Sequence, residues 1–553
     1  MNDSLRIIPL GGLGEIGKNM TAVEYRGKIV VLDCGVEFPR DEMLGIDLII
    51  PDISWLLERR ADVLGFLITH GHEDHQGALP FVLKQINKPV YGSRFTLALI
   101  KSKLDEHGLL KSVELNEVSD ESRFDLGPFN VSFIATSHSV PDSLSIVVGT
   151  DLGAVVLTGD YRFDHTPIDG RITDVNAFAR LGERGVLALL GDSTNAESLG
   201  STASESTVGQ AFHQIFAEAE GRVIVASFAS HIHRVQQAIT IAHLHGRKFA
   251  LSGRSMVKNA NIARNLGYLD VPEGSMIKLT QIDDYRPEEI LILSTGSQGE
   301  PLSALTRMAF NDHPQVELHE GDTVVISAKA IPGNERSVTA TIDRLLKVGA
   351  TVIYGEDSGI HVSGHAAQED LRMMLNLVRP QYFVPVHGEY RMQYLHAELA
   401  RQSGIRDEDI FILENGDVLE LDAENGEVVD KVQTGMVLVD GSELGDADGI
   451  VLRDRKQLAG DGILIAVVTI DGQSGATVAP PELVARGFLH NDERLKDVLD
   501  ECGAALDDLM QELGEVHVTG QRLIKEDIRD KLADLVFRRT RRRPLIMPVV
   551  VEV

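Results

Sequence analysis

His70-Gly71-His72-Glu73-Asp74-His75 follows the apolar run Leu64–Thr69 without a break, and the fold turns on this stretch. The run reads as a buried strand that ends in a loop of ligand-type side chains. In extended chain, residues i and i+2 project to the same side, so His70 and His72 can grip one ion. Asp74 and His75 come one step later and can serve a second ion nearby. Imidazoles and carboxylates without thiolate suit Zn²⁺ or Mn²⁺. Three more ligand types end apparent strands: His138 after Val131–Thr136, Asp160 after Ala154–Leu157, and His387 after the apolar run closing on Pro385-Val386. A lone His or Asp at a strand end is usually structural. Here all share one setting, a strand end beside Gly or Ser, which points to a common metal centre.

Upstream, Gly12-Leu13-Gly14-Glu15-Ile16-Gly17 matches the dinucleotide-binding pattern G-x-G-x-x-G and follows the strand-like Leu5–Leu10. That pattern needs a helix directly after its glycines. Two strand-like runs come there instead, Thr21–Tyr25 and Ile29–Cys34, with a turn at Arg26-Gly27. NAD binding is therefore set aside, and the glycines are expected to form a tight turn bordering the metal centre.

The chain has 553 residues, enough for more than one domain. Its only cysteines, Cys34 and Cys502, exclude a disulfide framework or a thiolate zinc site and fit a reducing cytoplasm. Neither a secretory signal nor a membrane-spanning apolar run is legible. A net charge of −30 argues against general affinity for nucleic acid, though not against a local basic channel.

Strand-like runs continue through Ser145–Thr150 and Val186–Gly191. From about Ser204 the pattern becomes alternating helix and strand: helix Thr207–Glu220, strand Arg222–Ala226, helix Arg234–His245, strand Lys248–Leu251, helix Ser255–Leu266, strand Glu289–Ser294, strand Thr323–Ser327 and helix Asn334–Val348. This predicts a second, parallel sheet. After about Leu452 comes a small unit of strand Gly462–Asp471, helices Glu493–Leu513 and Lys525–Arg538, and strand Leu545–Val551. Internal repeats are not seen.

Together with these ligands, Gly191-Asp192-Ser193-Thr194-Asn195, His361-Val362-Ser363-Gly364-His365 and Pro385-Val386-His387-Gly388-Glu389 resemble the metallo-β-lactamase superfamily, more narrowly the β-CASP nucleases, and specifically the bacterial ribonuclease J family. The resemblance runs over nearly the whole chain. It implies an α/β protein: a metallo-β-lactamase αββα sandwich (1–203 and 349–446), an inserted β-CASP domain (204–348), and a C-terminal αβ domain with its linker (447–553). It implies two Zn²⁺ per subunit, or Mn²⁺, with His70, His72 and His138 on one, Asp74, His75 and His387 on the other, and Asp160 bridging. Asp33 and Asp192 would steady the ligands from behind. Two close cations can deprotonate a shared water and stabilise the charge building on a phosphorane-like transition state. Asp74 can orient the attacking oxygen, and His365 is the candidate general acid or transition-state stabiliser. His361 is a phosphate contact or a structural imidazole.

Ser230-His231-Ile232-His233-Arg234 follows a strand and opens a helix, a setting that suits phosphate. By resemblance, this loop and His361–His365 (with Val362, Ser363 and Gly364) cradle single-stranded RNA and a 5′-monophosphate. Arg254, Lys258 and the stretch from Lys329 to Arg336 are candidate channel charges. Arg538-Arg539-Thr540-Arg541-Arg542-Arg543 is the one dense basic run, meeting either RNA or an acidic subunit interface. Trp55 reads as core. The resemblance further implies a cytoplasmic 5′→3′ exoribonuclease with endonuclease ability in mRNA decay and rRNA maturation. A homodimer or homotetramer and contacts with an RNA-degradation assembly are implied as well. Two other readings compete: a small-ester or lactam hydrolase of the same fold, which has no use for a large insert, and a silent RNA-binding scaffold, which has no use for a full ligand set.

Overall fold

The computed structural model describes residues 4–40, 43–300, 302–331, 334–441, 443–446, 450–472, 476–515 and 521–553. Two compact units emerge, Met1–Phe38 with Leu48–Val437, and Pro39–Asp47 with Leu438–Val553.

In the first unit, two sheets enclose one apolar core. One has the order Gly426–Lys431, Asp417–Leu421, Leu5–Gly11, Met20–Tyr25, Lys28–Leu32, Val63–Leu67, Val90–Gly92, Leu115–Glu117. The other has the order Pro380–Val386, Val186–Asp192, Gly153–Leu157, Leu144–Thr150, Phe129–Ala135, Arg123–Leu126. Strand alternation sorts the side chains. Phe133, Ile146, Val155, Ala188 and Val384 meet Ile7, Val23, Val30 and Leu67 between the sheets. Ile134, Val147, Val156, Leu189 and Phe383 face outward and pack under Phe178, Leu371, Met374 and Leu399 of helices Val175–Arg184, Gln368–Val378 and Tyr390–Gln402. This is the metallo-β-lactamase sandwich.

Strand Val186–Asp192 pairs in parallel with Pro380–Val386, with Asp192 opposite Val386. The chain leaves the core after one of these neighbours and returns in the other, which brings Asp192 beside His387. Between them lies the β-CASP insert, an all-parallel sheet in the order Lys248–Ser252, Ile290–Ser294, Val223–Ala226, Thr323–Ile326, Thr351–Ile353. Its last strand pairs Thr351 with Thr323 and so belongs to the insert's sheet, past the sequence-drawn boundary at Val348. Helices Ser206–Glu218, Ile232–Leu244 and Arg254–Leu266 cover one face through Phe212, Phe216, Val235, Ile239 and Met256.

The glycine stretch leads from strand Leu5–Gly11 into the antiparallel strand Met20–Tyr25, with no helix between them. Trp55 is only half-buried, with the Arg59 guanidinium 5.0 Å from its ring centroid, because its short helix lies at the surface. In the second unit, helices Asp492–Glu515 and Gln521–Thr540 pack Cys502, Leu506, Ile528 and Leu532 on one face of the sheet Thr477–Arg486, Ile463–Ile470, Leu545–Glu552. Among the described residues no helix is long and apolar enough to cross a membrane.

Candidate metal centre

Strand Val63–Leu67 delivers His70, and the chain then turns helical over Glu73–Gln76, with the His75 N–H donating to the His72 carbonyl at 3.2 Å. The extended geometry expected from sequence therefore stops at His72. Asp74 and His75 are successive positions on one helical turn, aimed at a neighbouring point. This turn is locked against Asp33–Val36, where Cys34 N–H donates to the His75 carbonyl at 2.8 Å and Val36 N–H to the Glu73 carbonyl at 3.1 Å. Gly35 permits the approach, since a Cβ there would stand 1.6 Å from the Asp74 carbonyl oxygen.

The seven ligand-type residues converge in two groups. His70, His72, His138 and Asp160 form one, and Asp74, His75, Asp160 and His387 the other, each with ligand atoms within 4.8 Å of one another. In the first, His72 Nδ1 lies 3.1 Å from His70 Nε2 and 3.2 Å from His138 Nε2. Asp160 Oδ2 is 3.5 Å from both His70 Nε2 and His138 Nε2. In the second, Asp160 Oδ1 lies 3.2 Å from His75 Nε2 and 3.4 Å from His387 Nε2, while Asp74 Oδ2 lies 3.6 Å from each of these nitrogens. Asp160 thus offers one oxygen to each group.

These groups fit metal ions. Bonds of about 2.0–2.1 Å in a tetrahedron put ligand nitrogens roughly 3.3 Å apart, close to the spacing of the three imidazoles. Asp160 Oδ1 and His387 Nδ1 are buried without a well-aligned hydrogen-bond partner, which is costly unless something else satisfies the site.

The far sides of these ligand-type residues are tied down. Asp33 (φ 60°) accepts from Thr69 N–H at 2.8 Å and lies 2.8 Å from His75 Nδ1. Thr69 Oγ1 is 3.0 Å from His70 Nδ1, Ser139 Oγ is 3.4 Å from His72 Nε2, and the Gly364 carbonyl is 2.8 Å from His138 Nδ1. His387 holds a left-handed φ of 51°. Its carbonyl accepts from Thr194 Oγ1 at 3.0 Å, and its N–H donates to the Gly12 carbonyl at 3.0 Å. Ser139, Gly364 and Thr194 lack any local signature as supporting groups; only adjacency to a ligand or a motif could have flagged them.

Electrostatics divide the two groups. Burial pushes His70 and His138 well below the ordinary imidazole range and His72 down to about 4. These rings are neutral and ready to donate lone pairs. Burial also opposes charge on His75 and His387, but for His75 the carboxylates of Asp160, Asp74 and Asp33 outweigh it, for His387 chiefly that of Asp160, and both are raised. A cation entering there would displace protons.

His365 sits beside this centre. Its Nδ1 lies 2.8 Å from Asp192 Oδ2 and 3.9 Å from Asp160 Oδ2. Despite burial, Asp192 and Asp160 raise it to about 9. His361, Val362, Ser363 and Gly364 are all partly exposed on the same segment. His231 caps helix Ile232–Leu244, its Nδ1 accepting from Arg234 N–H at 3.3 Å. Ser230 is partly exposed, Ile232 is buried in the insert's core, and His233 Nε2 is 3.2 Å from Asp169 Oδ2.

Arg234, read from sequence as a phosphate cation at this helix start, is instead fully buried and bonded to Glu205, Ser327 and the Ile360 carbonyl. Lys258 pairs with Glu106 at 2.6 Å, Arg254 is exposed, and the Lys329–Arg336 stretch lies partly outside the described residues. In the basic run, Arg538 pairs with Asp534, Arg539 with Glu501, and Arg542 donates to the Phe488 carbonyl at 2.6 Å.

Known proteins agree with this architecture. Residues 13–202 match the metallo-beta-lactamase superfamily, 220–345 the ribonuclease J beta-CASP domain, 357–413 the Zn-dependent metallo-hydrolase RNA specificity domain, and 450–553 the ribonuclease J C-terminal domain. Ribonuclease J2 of Bacillus subtilis (strain 168) is 42% identical over 551 residues, covering 100% of this chain and 99% of that protein. Ribonuclease J 2 of Staphylococcus aureus (strain MRSA252) is 41% identical over 556 residues, with the same coverage. A crystal structure of a protein of unknown function from Enterococcus faecalis V583 shares the fold, with a TM-score of 0.53, 15% identity, and coverage of 76% of this chain and 100% of that one.

Proposed function

This chain belongs to the ribonuclease J family, and we propose that it degrades single-stranded RNA from a 5′-monophosphate end, 5′→3′, with endonucleolytic ability. It is a metal-dependent ribonuclease. One observation carries the mechanistic reading: Asp160 offers separate oxygens to two converging ligand groups, and His365 stands beside both. His70, His72, His138 and Asp160 would hold one cation, and Asp74, His75, His387 and Asp160 the other. When bound, a pair of Zn²⁺ or Mn²⁺ ions supplies Lewis acidity to water and to the scissile phosphate.

The protein's own groups do the rest. Asp74, the most exposed of the ligands' carboxylates, orients the attacking water, and Asp33 fixes His75 and Thr69 behind it. His365, kept protonated by Asp192, gives its proton to the departing oxygen. Ser230, His231, His233 and the segment His361–His365 form the RNA contact, with Ile232 contributing backbone only. His231 is held neutral by burial and by Arg234, and with Nδ1 on the Arg234 N–H and Nε2 3.3 Å from Arg234 Nη2 it serves the RNA contact by shaping the helix start rather than as a cation. Cytoplasmic mRNA decay and rRNA maturation are the proposed settings.

The second unit's sheet turns Val484, Met547 and Val551 outward, each at least 40% exposed. That apolar face supports a homodimer or homotetramer. End-labelled RNAs bearing 5′-monophosphate, 5′-triphosphate or 5′-hydroxyl, incubated with Zn²⁺ or Mn²⁺ and resolved by length, test the proposal. Mononucleotides released first from monophosphorylated ends are expected. Turnover of a thioester or lactam with no RNA cleavage would overturn it.

A further inference from the structure

Behind Ile360–Ser363 lies a buried ionic cluster that takes no part in the metal centre. Arg162, Asp164, Glu205 and Arg234 are each no more than 2% exposed. Glu205 precedes helix Ser206–Glu218, and its N–H donates to Asp164 Oδ2 at 2.9 Å. Its Oε1 accepts from Arg234 Nε at 2.6 Å and Gln237 Nε2 at 3.1 Å, and its Oε2 from Arg162 Nη1 at 3.5 Å. Arg162 comes from the core and Arg234 from the insert. Both reach past Glu205 to the same segment. Arg162 Nη1 donates to the Ser363 carbonyl at 2.8 Å, and Arg234 Nη1 to the Ile360 carbonyl at 3.0 Å. Ser327 Oγ adds a third donor to this segment, bonding the Ile360 carbonyl at 2.5 Å.

Two guanidiniums so deeply buried repel one another in a low dielectric, and Glu205 is the group that bonds to both. Asp164 balances the second charge, 3.2 Å from Arg162 Nη2. Neither arginine has charge to spare for RNA. What each supplies is a fixed donor to a carbonyl of the segment that continues into Gly364 and His365, where it meets His138 and Asp192.

We propose that Glu205 is the positioning residue of this segment. By holding a core arginine and an insert arginine on one carboxylate, it sets where Ile360–Ser363 stands, and with it the affinity for 5′-monophosphorylated RNA. The role rests on the reading of His361–His365 as an RNA contact.

The test uses full-length Glu205→Gln and Ser327→Ala. It measures metal content, hydrogen exchange of amides 360–365, and steady-state kinetics on 5′-monophosphorylated and 5′-hydroxyl RNA. For Glu205→Gln the expected result is unchanged metal content, faster exchange, kcat within about threefold, and KM for the monophosphorylated RNA raised about tenfold, the signature of lost binding rather than lost chemistry. Ser327→Ala removes a single hydroxyl and carries the test if Glu205→Gln does not fold. It is expected to move exchange and KM the same way, by about threefold. Unchanged exchange in a folded variant overturns the role of Glu205 and leaves the RNA reading standing. Faster exchange with unchanged KM overturns the link to RNA, and with it the reading of the segment as an RNA contact. Metal loss with a matching fall in kcat also overturns the proposal, by making the cluster a support of the metal centre.

Discussion

Two buried polar clusters flank the segment Ile360–His365, and they are built on opposite rules. Around Arg162, Asp164, Glu205 and Arg234, each charge faces an opposite charge. Around Asp160, six imidazoles (His70, His72, His75, His138, His365 and His387) crowd the four carboxylates of Asp33, Asp74, Asp160 and Asp192, with no arginine or lysine among them. Balanced burial marks a scaffold, because a charge left alone in the interior is costly. Unbalanced burial persists only where a further charge completes the site, so the two clusters respond differently to the same kind of substitution.

The largest effect is expected at Asp160. Asp160→Asn takes the shared oxygen charge from both ligand groups. RNA cleavage should fall by far more than the roughly 10–100-fold typical of groups standing behind ligands, with metal content falling in parallel by elemental analysis. A variant that keeps both metals and full rate would erase the distinction between the clusters. Next comes Asp33→Ala, which unties His75 and Thr69 without removing a ligand. A loss of about 10–100-fold in metal affinity or rate is expected, measured by competition with a chelator.

In the balanced cluster the expected loss is of stability. Burial opposes the Glu205 charge, but Arg234 and Arg162 hold its carboxyl below the usual glutamate range. A carboxyl depressed in the folded state stabilises above its unfolded value, about 4.3, and loses that contribution as pH falls through the folded value. Glu205→Gln should therefore cost about 3–5 kcal/mol at neutral pH, as for a broken buried pair, and its deficit should narrow as pH drops below about 4.3. Denaturant melts across that range check the sign. A deficit that stays constant would mean the carboxylate is not what the arginines need.

The contrast also explains what the sequence made legible. The candidate ligands stand at strand ends beside Gly or Ser, and His70, His72, Asp74 and His75 fall on one short stretch, so pattern and spacing single them out. The pairing of His365 with Asp192 spans 173 residues, and the His365 carbonyl is held by Asn195 Nδ2 at 3.3 Å and Thr202 Oγ1 at 2.7 Å, contacts that no local pattern encodes. Glu205 is more hidden still. Buried ion pairs between distant elements look in sequence like ordinary surface charge, and for that reason Arg234 reads as a phosphate contact when it is a structural bolt. The short edge strand Leu115–Glu117 escapes because its side chains are largely polar and part-exposed, so pairing rather than periodicity makes it a strand, whereas Arg123–Leu126 alternates, with Phe124 and Leu126 on the core, but over only four residues.

Thr194 lies on the border of the two rules. Its hydroxyl lies 2.7 Å from Asp192 Oδ1 and 3.0 Å from the carbonyl of His387, whose left-handed backbone has to be held by its surroundings. Thr194→Val keeps the shape and removes the one hydroxyl proton that these two acceptors share. A stability loss of about 1–3 kcal/mol is expected, read by denaturant melts, with a smaller fall in rate than for Asp33→Ala. A rate loss larger than that of Asp33→Ala would show that His387's backbone, not its neighbours' carboxylates, limits the centre.

The smallest effect is expected at Arg539. From composition alone, the run Arg538–Arg543 is the obvious place for RNA in a chain of net charge −30. Yet Arg539 is paired with Glu501 and Arg538 with Asp534 on the surface of their own unit, and the Arg541 and Arg543 guanidiniums lie 5.4 and 4.6 Å from the Phe537 ring centroid. Exposed pairs of this kind contribute about 0–1 kcal/mol, so Arg539→Ala should shift stability within that range. The discriminating readout is the dependence of RNA affinity on salt. Removing a cation that neutralises one phosphate of single-stranded RNA lowers the slope of log affinity against log salt by about 0.7; removing an arginine already neutralised by Glu501 leaves the slope unchanged. An unchanged slope places this run with the balanced cluster, as charge used inside the protein. A lower slope would move it to the side of the metal centre, as charge held in reserve for a substrate.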